Sequence, residues 1–319
     1  MGRFARASLR LLGAAAATLA LCGAVPQSAG TAEGGKTLFT FAALGDMPYT
    51  REEEARFPDL IAELNREELA FVVHVGDFKS AFSVCTDELF LERRAWFELS
   101  HHALVYVPGD NEWTDCARPL GGSYDPLERL RKLRELFFAG AASLGQRPIA
   151  LERQSIVSRR IHDYPEHARW EHRGVLFVTL NAPGPTNNVR AQAEHSQRSA
   201  AIRNWLTGSF RLARERRARA VVVVMHANPW GRSGEPRRGF PELLHTLAAE
   251  VGSFGGEVLL VHGDTHRYRV DQPLRDPATA AAPPNFSRVE VFGSPEMNWV
   301  RVRVREEAGR VRFEVTPGS

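Results

Sequence analysis

Five apolar segments of the sequence each end in aspartate or histidine side chains, which can bind divalent metal ions. Carboxylates and imidazoles that converge on one place repel one another or stay unpaired unless a cation lies among them. A single Gly-Asp after a strand is ordinary turn chemistry, but five strand ends of this kind predict a metal site. The residues concerned are Asp46, Asp77, Asp110, His226, Asp264 and His266.

The segment VPGDNEWTDC (residues 107–116) ends one of these strands with a run of polar and aromatic residues. Taken alone, Asp110 and its neighbours predict a turn, because Asp, Asn and Gly favour turns for local reasons. Since the other strand ends carry the same kinds of ligand, we interpret this turn as a metal-binding loop.

The segments that must position these side chains alternate between strand and helix patterns in the first part of the chain. Thr86 is the expected N-cap of the second helix, and Pro58 predicts a kink or break in the first. The β-α-β-α-β order predicts a parallel sheet, and ligands bind outside the carboxyl ends of the strands in such sheets. The strands are residues 37–46, 70–77 and 103–110, and the helices are residues 51–69 and 86–102.

The rest of the chain predicts a second sheet with further helices. Residues 167–181 have the pattern of a hairpin that begins this sheet, and residues 193–220 that of a helix or helix pair. Polar and apolar residues alternate in the tail, which predicts antiparallel strands of the second sheet. A helix over residues 125–138 and continuous apolar strands over 220–229 and 257–266 complete the set.

The ordered ligand segments resemble the five motif blocks of the calcineurin-like metallophosphoesterases. Those blocks run Gly-Asp-x-His, Gly-Asp, Gly-Asn-His-Asp/Glu, a lone His after a strand, and Gly-His-x-His. The corresponding segments here are LGDMPY, VGDFKS, PGDNEW, MHANP and HGDTH, within residues 38–270. The resemblance implies an α/β fold in which a two-sheet β-sandwich is flanked by helices, formed by a single domain over residues 33–319.

Four positions depart from the pattern of the family. Pro48 and Asn111 stand where the family has histidine, Asp110 replaces an asparagine, and Asp264 replaces a histidine. The resemblance implies two metal sites that share one aspartate. One would use Asp46, Asp77 and His266, and the other Asp77, Asp110, His226 and Asp264.

Two divalent metal ions are the cofactors that the resemblance implies. Asp110 and Asp264 add hard oxygen ligands where the family supplies an amide and an imidazole, which favours harder cations. Manganese accepts both carboxylate and imidazole and is therefore expected first, followed by Mg, Ca, Fe or Zn.

Metal-assisted hydrolysis of a small-molecule phosphate ester is the activity that the resemblance implies. Asn111 can donate a hydrogen bond but cannot deliver a proton at neutral pH, so Glu112 or Asp115 would have to assist the leaving group. Lys79 and Arg232 follow ligand-bearing turns and are candidate contacts to phosphate. Because histidine is missing at positions 48 and 111, the alternatives are a non-catalytic relative that binds a metal or ligand, and a structural metal site.

Residues 1–32 have the pattern of a secretory signal peptide, with arginines, an apolar run and then small residues. The apolar run is shorter than the roughly 20 residues of a membrane-spanning helix, which favours cleavage and a periplasmic or secreted protein over an anchor. Loss of this segment removes three arginines and no acidic residue, so the formal charge falls from +3 to zero. The overall charge therefore gives no indication of a nucleic-acid partner.

Cys85 and Cys116 are the two cysteines that remain after this cleavage. An even pair in an oxidising compartment predicts a disulfide, and two separate buried thiols are the alternative. Both cysteines follow ligand-bearing turns by a few residues, so a bridge would tie two loops of the site together.

Overall fold

The parallel sheet that the sequence predicts for the first part of the chain is present. The computed structural model describes residues 35–158 and 163–318, and the predicted signal peptide lies outside them. Helices connect the strands in the expected order. The elements are β1 (Lys36–Leu44), α1 (Arg51–Leu64), β2 (Val72–His74), α2 (Asp87–Phe97) and β3 (Leu104–Tyr106), with β1, β2 and β3 paired in parallel.

The ends of the helices follow from local chemistry. The Thr86 side chain caps α2, as predicted, by accepting a hydrogen bond from the backbone N–H of Leu89. Pro58 lies inside α1, but the helix continues to its end at Leu64, so the predicted break does not occur. Burial of Phe57 and Ile61 on this helix outweighs the one backbone hydrogen bond that a proline cannot donate.

The middle of the chain forms a second sheet with its own helices. The predicted hairpin, β5 (Ala168–His172) and β6 (Val175–Thr179), lies in this sheet. Its other strands are β4 (Glu152–Arg153), β7 (Ala220–Val224), β8 (Glu257–His262), β9 (Arg269–Asp271) and β10 (Phe286–Glu290). The remaining helices are α3 (Pro126–Phe137), α4 (Gln154–Val157), α5 (Gln192–Glu215) and α6 (Pro241–Ser253), with short 3-10 helices at Thr114–Ala117 and Pro119–Gly121.

The tail departs from the prediction. β11 (Val300–Glu307) and β12 (Arg310–Pro317) form an antiparallel pair, but β11 lies beside β1 in the first sheet. Strand β10, in contrast, joins the second sheet and runs parallel to β8. The prediction that the whole tail belongs to the second sheet as antiparallel strands is therefore wrong, because alternation specifies one buried face and not the neighbouring strand.

The two sheets pack face to face with helices outside them. Their strand orders are β12-β11-β1-β2-β3 and β4-β5-β6-β7-β8-β10-β9. Alternate residues of β7 divide between two apolar layers: Val222 belongs to the core between the sheets, and Val223 to the core beneath α5 and α6. The rings of Phe41 and Phe177, one from each sheet, meet at 5.3 Å between centroids. This confirms the helix-flanked two-sheet α/β sandwich.

The described residues from Gly35 onward belong to one compact unit. Among them, no helix is both long enough and apolar enough to cross a lipid bilayer.

Candidate metal centre

The parallel strands of both sheets bring all six predicted ligands to one place. The three aspartates at the ends of β1, β2 and β3 meet the residues that follow β7 and β8. Two groups of three residues each offer ligand atoms within 4.8 Å of one another. The groups are Asp46, Asp77 and His226, and Asp110, His226 and Asp264.

The backbone at these strand ends takes a conformation that few residues adopt. Asp46, Asp77, Asp264 and His266 have φ values of 55°, 57°, 84° and 56°, in the left-handed region. Such conformations are strained for residues other than glycine and cluster at functional sites. A Cβ atom added to the neighbouring Gly263 would overlap Oδ2 of Asp46, so that close approach of the backbone requires glycine there.

Backbone N–H groups hold the carboxylates in place. The amide of Asp264 donates to both oxygens of Asp46, at 3.0 and 3.1 Å. Oδ1 of Asp77 accepts from the amide of Asn111 at 3.0 Å, and Oδ1 of Asp110 accepts from the amide of Gly184 at 3.1 Å. The ligands of one loop are thus positioned by the backbone of another.

Both histidines present a nitrogen to these carboxylates. Nδ1 of His226 donates to the carbonyl of Val75 at 2.9 Å, which leaves Nε2 without a proton in the neutral ring. This buried Nε2 lies 2.9 Å from Oδ1 of Asp110 and 3.5 Å from Oδ1 of Asp77. His266 is oriented in the same way, with Nδ1 donating to the carbonyl of Ser294 at 2.8 Å. Its Nε2 lies 3.7 Å from Oδ1 of Asp46.

The charges of the site are unbalanced without a cation. Burial raises the pKa of both Asp46 and Asp77 well above the usual value, against the opposing effect of His226. Burial, followed by the charge of Asp110, raises the pKa of Asp264 to about 6. Burial also opposes the charged form of His226, but the surrounding carboxylates outweigh it and raise its pKa well above the usual value.

This donor set fits a pair of divalent cations. Four carboxylates carry a charge that two such ions would balance, and hard oxygens with imidazole nitrogens suit Mn and its neighbours. An imidazole nitrogen has one lone pair and can bind only one ion. His226 belongs with Asp110, to which its Nε2 lies closer, and this leaves His266 to complete the other site.

Tyr49 is the residue of the site that sequence reasoning missed. Its hydroxyl donates to Oδ2 of Asp77 at 2.8 Å and accepts from Nδ2 of Asn111 at 3.0 Å. Burial, followed by the charges of Asp77 and Asp46, raises the pKa of Tyr49 well above its usual value, so the hydroxyl keeps its proton. Its only signal in the sequence is its place at the end of the block LGDMPY.

The two predicted catalytic residues lie behind the ligands. The Nδ2 group of Asn111 is engaged by Tyr49 and by the carbonyl of Lys79, at 3.0 Å each. Glu112 is fully buried, and its Oε1 accepts hydrogen bonds from the amide of Phe78 at 2.9 Å and the hydroxyl of Tyr106 at 3.2 Å. This placement suits a role in holding the third loop, residues 107–116 after β3, better than the predicted transfer of a proton to a leaving group.

The predicted phosphate contacts have different surroundings. Lys79 is fully buried, and its ammonium group donates to the carbonyls of Asn111 at 2.6 Å and Ser80 at 2.9 Å. A contact between Lys79 and substrate does not agree with this position, because the ammonium cannot reach the surface. Arg232 is exposed and lines a cavity next to the metal centre.

The predicted disulfide is present. Cys85 and Cys116 are bonded, with Cα atoms 5.8 Å apart. Both Sγ atoms lie 3.6 Å from the carbonyl oxygen of Asn111. The bridge therefore supports the third ligand loop from behind.

Comparison with known proteins identifies the fold. No protein-family model matches the sequence, and no curated protein is similar to it. Several solved structures are similar over most of this chain. A dimetal phosphatase from Danio rerio is 13% identical, over 88% of this chain and 99% of that one, with a TM-score of 0.53. The chain has the calcineurin-like metallophosphoesterase fold.

Two further structures with this fold support the assignment. PhoD is 11% identical over 89% of this chain and 72% of its own, with a TM-score of 0.55. A purple acid phosphatase from yellow lupin seeds is 10% identical over 88% of this chain and 53% of its own, with a TM-score of 0.50. Sequence identities this low are those of a divergent example of the calcineurin-like metallophosphoesterase fold.

Proposed function

We propose that the protein is an exported, metal-dependent phosphoesterase that hydrolyses a phosphate ester of a small molecule. The observation that carries the proposal is the convergence of four aspartates and two histidines at the ends of strands from both sheets. The names of the similar structures, a dimetal phosphatase and a purple acid phosphatase, describe the same class of reaction for those proteins.

The ligands divide between two sites that share Asp77. Asp46 and His266 complete one site, and the other uses Asp110, His226 and Asp264. Bound divalent cations would supply positive charge to phosphoryl oxygens and lower the pKa of water for attack on phosphorus. Both carboxylate oxygens of Asp77, the shared ligand, are positioned by hydrogen bonds. Tyr49 donates to one oxygen, and the amide of Asn111 donates to the other.

Asp115 is another carboxyl group of the third loop that is not among the proposed ligands. Burial, followed by the charge of Asp110, raises the pKa of Asp115 to about 7. Its side chain is 9% exposed and lies 2.7 Å from Arg118, whereas Glu112 is sealed from solvent. Asp115 rather than Glu112 is therefore our candidate for assisting a leaving group.

Manganese is our first choice of metal, followed by Mg, Ca, Fe and Zn. The aspartates at positions 110 and 264 give four carboxylates and two imidazoles, a set that manganese accepts and that softer ions would not select. Replacing Asp264 with histidine and Asp110 with asparagine, singly and together, should shift the preference toward zinc. Unchanged preference in the double variant would show that these two residues are not ligands.

A non-catalytic protein that binds a metal or a ligand is the second candidate. The observation in its favour is that Asn111, which stands at the position of the family's third-block histidine, directs its amide to Tyr49 and Lys79. Such a protein would bind manganese and phosphate without turning over any ester.

Export to the periplasm or the outside of the cell is part of the proposal. Its support is the pattern of residues 1–32 and the Cys85–Cys116 bridge, a bond that is typical of oxidising compartments. Cell fractionation and the N-terminal sequence of the purified protein test it. An intact first residue in protein from the cytoplasm would contradict export.

Hydrolysis is tested with a panel of phosphate monoesters and diesters in the presence of Mn, Mg, Ca, Fe or Zn. We expect turnover in the wild type and a loss of at least a hundredfold in Asp77→Asn. Asp59→Asn is the matched control, because Asp59 is an exposed aspartate on α1. Metal binding without turnover of any ester would favour the non-catalytic candidate.

A further inference from the structure

A basic cavity adjoins the metal centre. Its volume is about 420 Å³, and it contains four guanidinium groups with no carboxylate among its lining residues. The lining consists of Asn228, Trp230, Gly231, Arg232, Arg237, Thr265, Arg267 and Arg269.

The cavity and the metal centre share a wall. Oδ2 of Asp264, a proposed metal ligand, accepts hydrogen bonds at 3.0 Å from the amide of Asn228 and at 3.0 Å from the guanidinium of Arg237. Thr265, which also lines the cavity, lies between the ligands Asp264 and His266 in the chain. A molecule bound at the metals would thus lie within reach of the cavity.

Two of the four arginines are already paired with acidic residues. Arg237 lies 3.0 Å from Asp264, and Arg269 lies 2.9 Å from Glu290. Arg232 and Arg267 are exposed, and no ion pair of theirs is found in residues 35–158 and 163–318. The cavity therefore presents two guanidinium groups for which the described residues supply no ion pair.

The floor of the cavity is fixed rather than loose. Trp230 is buried, and the guanidinium of Arg288 lies 4.9 Å from its ring. Arg288 also donates to Oδ1 of Asn228 at 3.2 Å, and that oxygen accepts from the amide of Trp230 at 3.1 Å. Arg232 thus follows a buried, hydrogen-bonded segment of the chain.

We propose that this cavity is a second anion subsite that binds a further phosphate group of the substrate. The inference rests on the proposed function, and it assigns the substrate class: small molecules with two or more phosphate groups, such as a nucleoside diphosphate. The phosphoryl group to be cleaved lies at the metals, and the other phosphate lies against Arg232 and Arg267. Guanidinium groups suit this role because they bind phosphate through two parallel hydrogen bonds.

Direct binding tests the subsite without any turnover. Inorganic pyrophosphate is titrated calorimetrically into the purified protein after dialysis against metal-free buffer. We expect Arg232→Gln/Arg267→Gln to weaken binding at least tenfold relative to wild type. Arg56→Gln/Arg66→Gln, which removes two exposed arginines elsewhere, should bind as the wild type does. Equal binding by the first double variant, or no binding by the wild type, would overturn the subsite.

Kinetics then test the substrate class. The ratio of kcat/KM for adenosine diphosphate to that for adenosine monophosphate should fall at least tenfold in Arg232→Gln/Arg267→Gln. An unchanged ratio in an active enzyme would overturn the assignment to substrates with two phosphates. If pyrophosphate binds through the two arginines but no ester is hydrolysed with any metal, the proposed function fails while the anion site stands.

Discussion

The hydroxyl of Tyr49 donates a hydrogen bond to Oδ2 of Asp77 at 2.8 Å, and Asp77 is the ligand that we assign to both metals. A hydrogen bond from outside the ligand set orients the carboxylate and fixes which lone pairs remain for the ions. Tyr49 and Asn111 together close this network behind the site, because the amide of Asn111 donates to the same hydroxyl at 3.0 Å.

Tyr49→Phe removes this hydrogen bond and leaves the ring in place. We expect Mn affinity to fall about tenfold, in the range found when hydrogen bonds to metal ligands are removed. Titration calorimetry of metal-depleted protein measures it. Tyr124→Phe is the control, since Tyr124 makes no hydroxyl hydrogen bond in the described part of the chain. Wild-type affinity in Tyr49→Phe would mean that Tyr49 has no part in positioning Asp77.

Lys79→Met tests whether Lys79 supports the third loop or contacts substrate. Its loss leaves the carbonyl of Asn111 without its ammonium donor, so we expect a destabilisation of about 1–3 kcal/mol. Urea denaturation measures this, and the exposed Lys36→Met serves as the control. A variant of wild-type stability with a raised KM would instead support contact with phosphate.

Removal of the disulfide should destabilise the fold. The bridge joins residues 31 positions apart, and closing a loop of this size contributes about 3–4 kcal/mol through the unfolded chain. We expect Cys85→Ala/Cys116→Ala to lose roughly this free energy of unfolding in urea. Dithiothreitol should lower the stability of the wild type and leave that of the variant unchanged. Insensitivity of the wild type to reduction would contradict the role of the bridge.

His167 makes the stability of the fold depend on pH below neutrality. Burial lowers the pKa of His167 to about 3, and its Nδ1 lies 2.7 Å from Oε1 of Gln154. His167 takes up a proton near pH 6.5 in the unfolded chain and only near pH 3 in the folded chain. The stability that His167 contributes is therefore fully present above pH 6.5. It falls by about 1.4 kcal/mol per pH unit as the pH decreases from 6.5 toward 3.

His167→Asn should remove this contribution, because its amide can donate to Gln154 but does not titrate. Urea denaturation between pH 4 and pH 7 measures how the free energy of unfolding changes with pH. This slope should be shallower in the variant than in the wild type, by the equivalent of one bound proton. His245→Asn, at an exposed histidine of α6, is the matched control variant. The same slope in all three proteins would show that His167 is not buried in its neutral form.

The sequence predicts that the six candidate ligand residues lie close together, because each one ends an apolar strand. Gly-Asp after β1, β2 and β3, and histidine after β7 and β8, are local signals, and parallel pairing brings such ends together. No local signal of this kind specifies which sheet β11 and β12 join. Alternation requires a buried face for Val302 and its neighbours, and either sheet could have supplied it.

The residues around the ligands could not be predicted in the same way. Lys79 and Arg232 both follow ligand-bearing turns, yet one is fully buried and the other exposed. This difference in burial depends on how the loop after β3 packs over the loop after β2. Neither residue type nor spacing predicts that packing. The same applies to Tyr49, whose hydroxyl acquires its role from Asp77 and Asn111, both distant in the chain.

The metal content of aspartate variants tests the central claim most directly. Elemental analysis of Mn-loaded protein should give two ions per chain for the wild type and for the control Asp59→Asn. Asp46→Asn, which lacks a ligand of one site, should retain one ion. Asp77→Asn, which lacks the shared ligand, should retain fewer than one while circular dichroism shows a folded protein. Two ions bound by folded Asp77→Asn, or none bound by the wild type, would contradict the two-metal centre.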